Sequence, residues 1–149
     1  EQAWYTANKI YTPSYISLSS ALSHYDWIPE GVFSFTSVST RKTCVFETPG
    51  GQFQYFTVKP ALFFGYKILY DAGLGIKIAE PEKAILDFLY FHPKLQQEAD
   101  FESYRFNLPQ MQADLDLEKL DAYAGLFTSA ALLKRLVTFK NILNHAESF

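Results

Sequence analysis

Ile78-Ala79-Glu80-Pro81-Glu82-Lys83-Ala84-Ile85-Leu86-Asp87 decides the fold class. Ile78-Ala79 reads as the end of a strand. Pro81 reads as the first residue of a helix, where its missing N–H costs nothing. Onward to His92, the residues Ala84, Ile85, Leu86, Phe88, Leu89, Tyr90 and Phe91 leave no polar face, so this helix is expected to be buried against a sheet. Pro93 stops it. One acid, Asp87, stands inside the apolar body, with Lys83 four residues earlier at ion-pair spacing. Arg41 or Lys42 could also reach it across the fold. Buried carboxylates need a partner or a shifted pKa, so a structural pair is expected here before a functional acid.

Upstream, β-branched and aromatic residues dominate from Val32 to Lys59, and Thr48-Pro49-Gly50-Gly51-Gln52 is a strong turn. Strands are predicted at about 32–40, 43–48 and 52–59, the last two forming a hairpin. Ala61–Tyr70 reads as a strand, or as a short helix and then a strand. Gly73 and Gly75 mark a turn before a strand at Ile76–Ala79. Near the N-terminus, Thr12-Pro13-Ser14 is a helix-start signal, with Ser17 as an alternative cap, and that helix is expected to end near Trp27 ahead of Pro29 and Gly31. Downstream, one short, exposed amphipathic helix is predicted within 94–110, closed by Asn107-Leu108-Pro109. Asp116 is expected to cap a helix through about Tyr123, with Gly125 at its end. A final helix from Thr128 or Ser129 to His145 carries a core stripe of Leu132, Leu136, Phe139 and Leu143. The fold expected is α+β: one compact domain over residues 1–149, with a mostly antiparallel sheet (residues ~32–79) packed against helices, and a helical C-terminal part.

Composition supports a well-filled core, at 48% hydrophobic and 17% aromatic residues in 149. Cys44 is the sole cysteine, which excludes an internal disulfide and a cysteine-based zinc site. No apolar run approaches the ~20 residues of a membrane span, and no signal peptide is visible, so a soluble cytoplasmic protein is expected. The net charge of −3 is uneven. Residues 1–78 hold six basic and five acidic side chains, residues 79–125 four and ten, and residues 126–149 three and one. That balance lacks the footprint of a dedicated nucleic-acid binder, so any DNA contact is expected to assist another module.

Catalytic and metal chemistry leave little trace. His24, His92 and His145 stand near helix ends and none has metal-ligand spacing. Asp114-Leu115-Asp116 lacks the glycine of a calcium loop, and Gly73-Leu74-Gly75 lacks a P-loop lysine. In Glu80-Pro81-Glu82-Lys83 the acid and lysine are adjacent, so they diverge on a strand and stand ~100° apart on a helix; a standard nuclease site fails. No catalytic residue, metal or cofactor is assigned. The run Thr36-Ser37-Val38-Ser39-Thr40-Arg41-Lys42-Thr43 combines hydroxyls with two cations, which suits phosphate contact or an exposed strand edge. Lys9, Thr40, Arg41, Lys42 and Thr43 are the nucleic-acid-binding candidates. Tyr5, Tyr11 and Tyr15 could stack on bases, with packing as the stronger default.

Taken in order, Tyr5…Ala7-Asn8-Lys9-Ile10, Pro13-Ser14-Tyr15-Ile16-Ser17, Ser20-Ala21-Leu22, Ile28-Pro29-Glu30, Ser39-Thr40-Arg41-Lys42-Thr43, Phe63-Phe64-Gly65 and Ile78 through Asp87 form one series. This series resembles the AbiEi-type antitoxins of bacterial type IV toxin–antitoxin (abortive-infection) systems, which are also transcriptional regulators. The likeness covers about residues 5–91. It implies a winged helix-turn-helix ahead of this domain in the parent, for which no room exists before Tyr5, so the chain is expected to be the second domain. It implies a nucleotidyltransferase-like toxin as functional partner without a stable complex, DNA binding by the full-length parent, and no enzymatic activity. Pro13, Ser14, Tyr15, Ser17, Glu80, Pro81, Glu82, Lys83 and Asp87 are motif positions assigned to structure. The alternatives are a divergent nucleic-acid-processing enzyme with its site near Glu80, Glu82 and Asp87, or a plain dimerisation module; a homo-oligomer is compatible with either.

Overall fold

The computed structural model describes residues 2–29 and 34–145. Helix α1 (Gln2–Ile10) leads into strand β1 (Ser14–Ile16) and helix α2 (Leu18–His24). Strands β2 (Ser34–Ser39), β3 (Cys44–Thr48) and β4 (Gly51–Thr57) follow, then a 3₁₀ turn at Pro60–Leu62 and strands β5 (Tyr66–Asp71) and β6 (Leu74–Ala79). Helix α3 (Pro81–Phe91) opens the helical half, continued by α4 (Glu98–Phe101), α5 (Leu108–Asp114), α6 (Leu117–Leu126) and α7 (Ala130–His145).

The architecture is α+β, as expected. All six strands join one sheet in the order β3-β4-β2-β1-β6-β5. The pairs β1–β2, β3–β4 and β5–β6 are antiparallel, whereas β1–β6 and β2–β4 are parallel, so the sheet is mixed. The parallel pair β2–β4 has a consequence for the loop at 40–43. β3 lies on the far side of β4, so the chain leaving β2 crosses the end of β4 before turning back as β3.

Face assignment follows from the register. Tyr15, Val38 and Phe56 share one face with Tyr66, and α3 packs there: Tyr15 bonds to Asp87 and the Phe56 and Phe91 rings lie 5.6 Å apart. The other face carries Tyr55, whose hydroxyl donates to the Ala7 carbonyl of α1 at 2.6 Å. One core runs through both layers, from Ala7 and Tyr55 through Ile16, Ile85 and Leu86 to Leu132 and Phe139. The stripe expected on α7 is buried, and buried Arg135 beside it donates to the Leu89 carbonyl at 2.7 Å, satisfying an end group of α3.

Several expectations are corrected. Ser14–Ile16 is a strand, not a first helical turn; the helix begins after Ser17, the alternative start, and ends at His24 rather than Trp27. Three residues suffice as a strand because both neighbours, β2 and β6, hold them in the centre of the sheet. Where β1 gives out beside β6, the Asn8 side chain replaces it. Its Oδ1 accepts from the Lys77 N–H at 2.6 Å and its Nδ2 donates to the Lys77 carbonyl at 3.3 Å. Helix α1 has no counterpart in the sequence-based expectations. The segment 94–110 holds α4 and a 3₁₀ turn, with Phe101 as the buried residue of α4, and Asn107 starts α5 instead of ending a helix, its side chain accepting from the Gln110 N–H. The sheet extends beyond 32–79 to include β1. The expected strand start at Val32 and the break at Gly31 fall outside the described residues.

Candidate functional site

Two groups of sequence candidates end in different surroundings: one sealed beneath α3, the other exposed at the end of the sheet.

The sealed group is built by α3. Glu80 takes the N-cap position and Pro81 the first helical position, so Lys83 and Asp87 fall one turn apart on the face turned to the sheet. Both side chains are fully buried. Lys83 Nζ is surrounded by three oxygens: the Tyr15 hydroxyl at 2.6 Å, the Leu62 carbonyl at 2.7 Å and Asp87 Oδ1 at 3.0 Å. The last is a meeting of opposite charges without the alignment of a hydrogen bond. Asp87 Oδ2 accepts from Tyr15 and Ser17, each at 2.8 Å. The Phe64 ring centroid lies 4.5 Å from Nζ.

Burial pushes Asp87 up and Lys83 down from their ordinary values, and each partner's charge opposes that push. Burial also raises Tyr15 well above its ordinary value, assisted by the Asp87 charge. The lysine, tyrosine and carboxylate could pass a proton among themselves. None of the three is exposed to solvent, so the arrangement joins β1, the Leu62 turn and α3. Gly65 completes the seal. At φ +77° it occupies the left-handed region, and a Cβ there would stand 3.0 Å from Lys83 Cβ and Cγ.

Glu80 and Glu82 face α6. Glu80 accepts from Lys119 at 2.7 Å and from Tyr123 at 2.6 Å, while Glu82 accepts from the Asp116 N–H at 2.8 Å. Burial works against the Glu80 charge, but the bonds from Lys119 and Tyr123 outweigh it and hold the carboxyl below its ordinary value. The Glu80 N–H donates to the Gly65 carbonyl at 2.8 Å. Glu80, Glu82 and Asp87 therefore do not converge. Among the described residues no group of three His, Cys, Asp or Glu side chains is placed to hold a metal ion.

The exposed group lies in the crossing loop Thr40-Arg41-Lys42-Thr43. Thr36, Ser37 and Ser39 are buried in a central strand, so the hydroxyl run is not an exposed edge. Its backbone is fastened at three points, the Arg41 N–H and the carbonyls of Arg41 and Lys42. Ser39 Oγ accepts from the Arg41 N–H at 3.0 Å and donates to the Pro13 carbonyl at 2.7 Å. Thr57 Oγ1 donates to the Arg41 carbonyl at 2.7 Å, which leaves Thr43 to donate in the 2.8 Å bond between the two threonine hydroxyls. Tyr11 donates to the Lys42 carbonyl at 2.7 Å.

The Arg41 guanidinium lies 4.1 Å from the Tyr11 ring centroid, a cation–π stack that leaves most of its N–H fork unused. Nη1 reaches the Thr12 carbonyl at 3.4 Å. Thr40 is half-buried, and Lys42 and Thr43 are exposed. Lys9 is exposed on the last turn of α1, 5.3 Å from the Tyr5 ring, and no hydrogen bond joins it to the loop. Tyr11 and Thr57, which no sequence pattern assigns to this site, position it. Exposed Lys59 comes two residues after Thr57, whose register partner is Ser39, so it stands at the same end of the sheet. Fixed cations and hydroxyls of this kind suit an anion such as a backbone phosphate. No helix among the described residues is long and apolar enough to cross a membrane. No family model, curated protein or solved structure matches the chain.

Proposed function

We propose that this chain is the non-enzymatic antitoxin domain of an AbiEi-type cytoplasmic regulator, counteracting a nucleotidyltransferase-like toxin and assisting DNA binding by its full-length parent. One observation carries the reading. The blocks behind the resemblance are far apart in sequence, yet Tyr15, Ser17 and Gly65 meet around one buried ion pair, Lys83–Asp87. A shared motif that serves a shared scaffold should assemble in this way. Complete burial of Lys83 and Asp87 speaks for a structural use of the motif over a catalytic one. The Arg41–Lys42 loop supplies the DNA-assisting surface, with Thr40 and Thr43 as the flanking hydroxyls.

The test is growth rescue. Residues 1–149 are expressed beside a nucleotidyltransferase-like toxin encoded next to the parent gene. Restored growth is expected. Continued arrest, with the domain shown folded and abundant and with the full-length parent also failing, would refute the antitoxin assignment.

A further inference from the structure

Strand β5 closes one side of the sheet, and no other strand among the described residues pairs with its outer edge. Its exposed residues include Ile68 (51%) and Tyr70 (73%), which share a face, and the charged Lys67. Which backbone groups point outward follows from the hairpin. Ala72 (φ 50°) and Gly73 (φ 81°) form a two-residue turn of the primed type, so the flanking pair Asp71–Leu74 exchanges hydrogen bonds. Counting back by two, Leu69, Lys67 and Gly65 bond inward, which agrees with the Glu80 N–H donating to the Gly65 carbonyl. Tyr66, Ile68 and Tyr70 therefore turn their N–H and C=O outward, and no hydrogen bond among the described residues occupies them.

We infer that the partner for this edge is a second copy of the same strand, paired antiparallel about a two-fold axis at Leu69. In antiparallel pairing, opposed residues must both face the partner or both face away, so a two-fold axis passes through a residue and only a few centres exist. Centring on Lys67 opposes like charges. Centring on Ile68 sets Lys67 against Leu69, and centring on Tyr70 sets Asp71 against Leu69. Centring on Leu69 pairs Ile68 with the second copy's Tyr70 through two hydrogen bonds, twice over by symmetry. It also brings Lys67 opposite the second copy's Asp71 in the close, non-hydrogen-bonded position, where side chains interact best. Ile68 and Tyr70 then make two β-branched–aromatic pairs on one face.

A lysine on an edge strand ordinarily discourages pairing; here, among the registers with matched backbone groups, the one centred on Leu69 gives it a carboxylate. Lys67 remains available, since its contact with Tyr25 is a loose 5.5 Å and its charge acts only at a distance on Glu80. The opposite edge offers no such match. The only charge in β3 is Glu47, already bonded by Gln52, and no register of β3 with itself gives it a cation. The dimer stands independently of the antitoxin reading.

Sedimentation velocity over a concentration series tests it, with circular dichroism melts confirming that each variant is folded. The wild-type chain is expected to dimerise at micromolar to millimolar concentration, as suits a contact at the small end of specific interfaces. Asp71→Lys and Lys67→Asp each turn two attractions into two repulsions and should weaken association roughly tenfold or more. The exchanged pair Lys67→Asp with Asp71→Lys should restore it. A chain that stays monomeric throughout, a dimer indifferent to either single change, or a double exchange that fails to recover association would each overturn the proposal.

Discussion

Replacing Lys83 by Met and Asp87 by Leu, singly and together, probes what the buried pair contributes. Lys83→Met leaves the fully buried Asp87 carboxyl without its cation, supported by Tyr15 and Ser17 alone. Asp87→Leu leaves the ammonium with the Tyr15 hydroxyl and the Leu62 carbonyl. Breaking a buried pair from one side costs about 3–5 kcal/mol, so independent effects would sum to roughly 6–10 kcal/mol. The double variant removes both charges. What remains unsatisfied is the Leu62 carbonyl and the hydroxyls of Tyr15 and Ser17, at about 1 kcal/mol each, partly offset by the added apolar contact. A net cost of about 2–3 kcal/mol follows, at least ~3 kcal/mol short of the sum.

Urea unfolding followed by the fluorescence of fully buried Trp27 measures all three. A single variant unfolded in water beside a folded double variant would express the same coupling. Additivity within about 0.5 kcal/mol, or a single substitution costing under about 1 kcal/mol, would refute the reasoning.

Other perturbations follow from the same geometry. Gly65→Ala should destabilise by about 1–3 kcal/mol, since the residue has positive φ and its new methyl group meets Lys83 at 3.0 Å; a melting temperature unchanged from wild type would count against the close approach. Burial holds the His92 imidazole below its ordinary 6.5, against the opposing bond to the Phe88 carbonyl. Its neutral form therefore contributes fully above pH 6.5, and the contribution is lost as pH falls through the depressed folded value. His92→Asn should flatten the stability profile in that window, and an unaltered slope would exclude His92 as its source. Arg41→Ala combined with Lys42→Ala should leave the unfolding free energy within about 0.5 kcal/mol of wild type. The same pair should make the salt dependence of DNA binding by the parent shallower by roughly one unit per lost phosphate contact. An unchanged slope removes both residues from the interface.

Helix α3 is legible in the sequence because its signals are local: Pro81 at the first position, an unbroken apolar body and Pro93 beyond it. The β3–β4 hairpin is legible for the same reason, through Thr48-Pro49-Gly50-Gly51. Strand β1 is not, because Thr12-Pro13-Ser14 carries a local helix signal that two neighbouring strands override. Helix α1 lacks an acidic first turn, and Tyr55 and Lys77 anchor it from distant parts of the chain. In the sealed cluster, the Lys83–Asp87 spacing is visible at four residues, whereas Tyr15 and Ser17 lie about seventy residues away. The loop candidates are visible as residue types, but Tyr11 beneath Arg41 comes from the turn after α1 and Thr57 beneath the backbone from the end of β4.

The crossing loop also constrains how the chain reaches this structure. Four residues bridge the end of β4, so β2 and β3 cannot lie side by side without excluding the strand that belongs between them. The β3–β4 hairpin, local in sequence, is expected to form within microseconds and to seat against β2 as a preassembled ribbon. Pulsed hydrogen exchange should then protect the β3–β4 amides before those of β2, and the reverse order would contradict this sequence of events. The basic loop becomes a latch, with Tyr11 as its catch: the Arg41 guanidinium and the Lys42 carbonyl meet that ring and its hydroxyl only when the ribbon has docked. Its charged surface therefore appears at the end of folding, when the sheet behind it is complete.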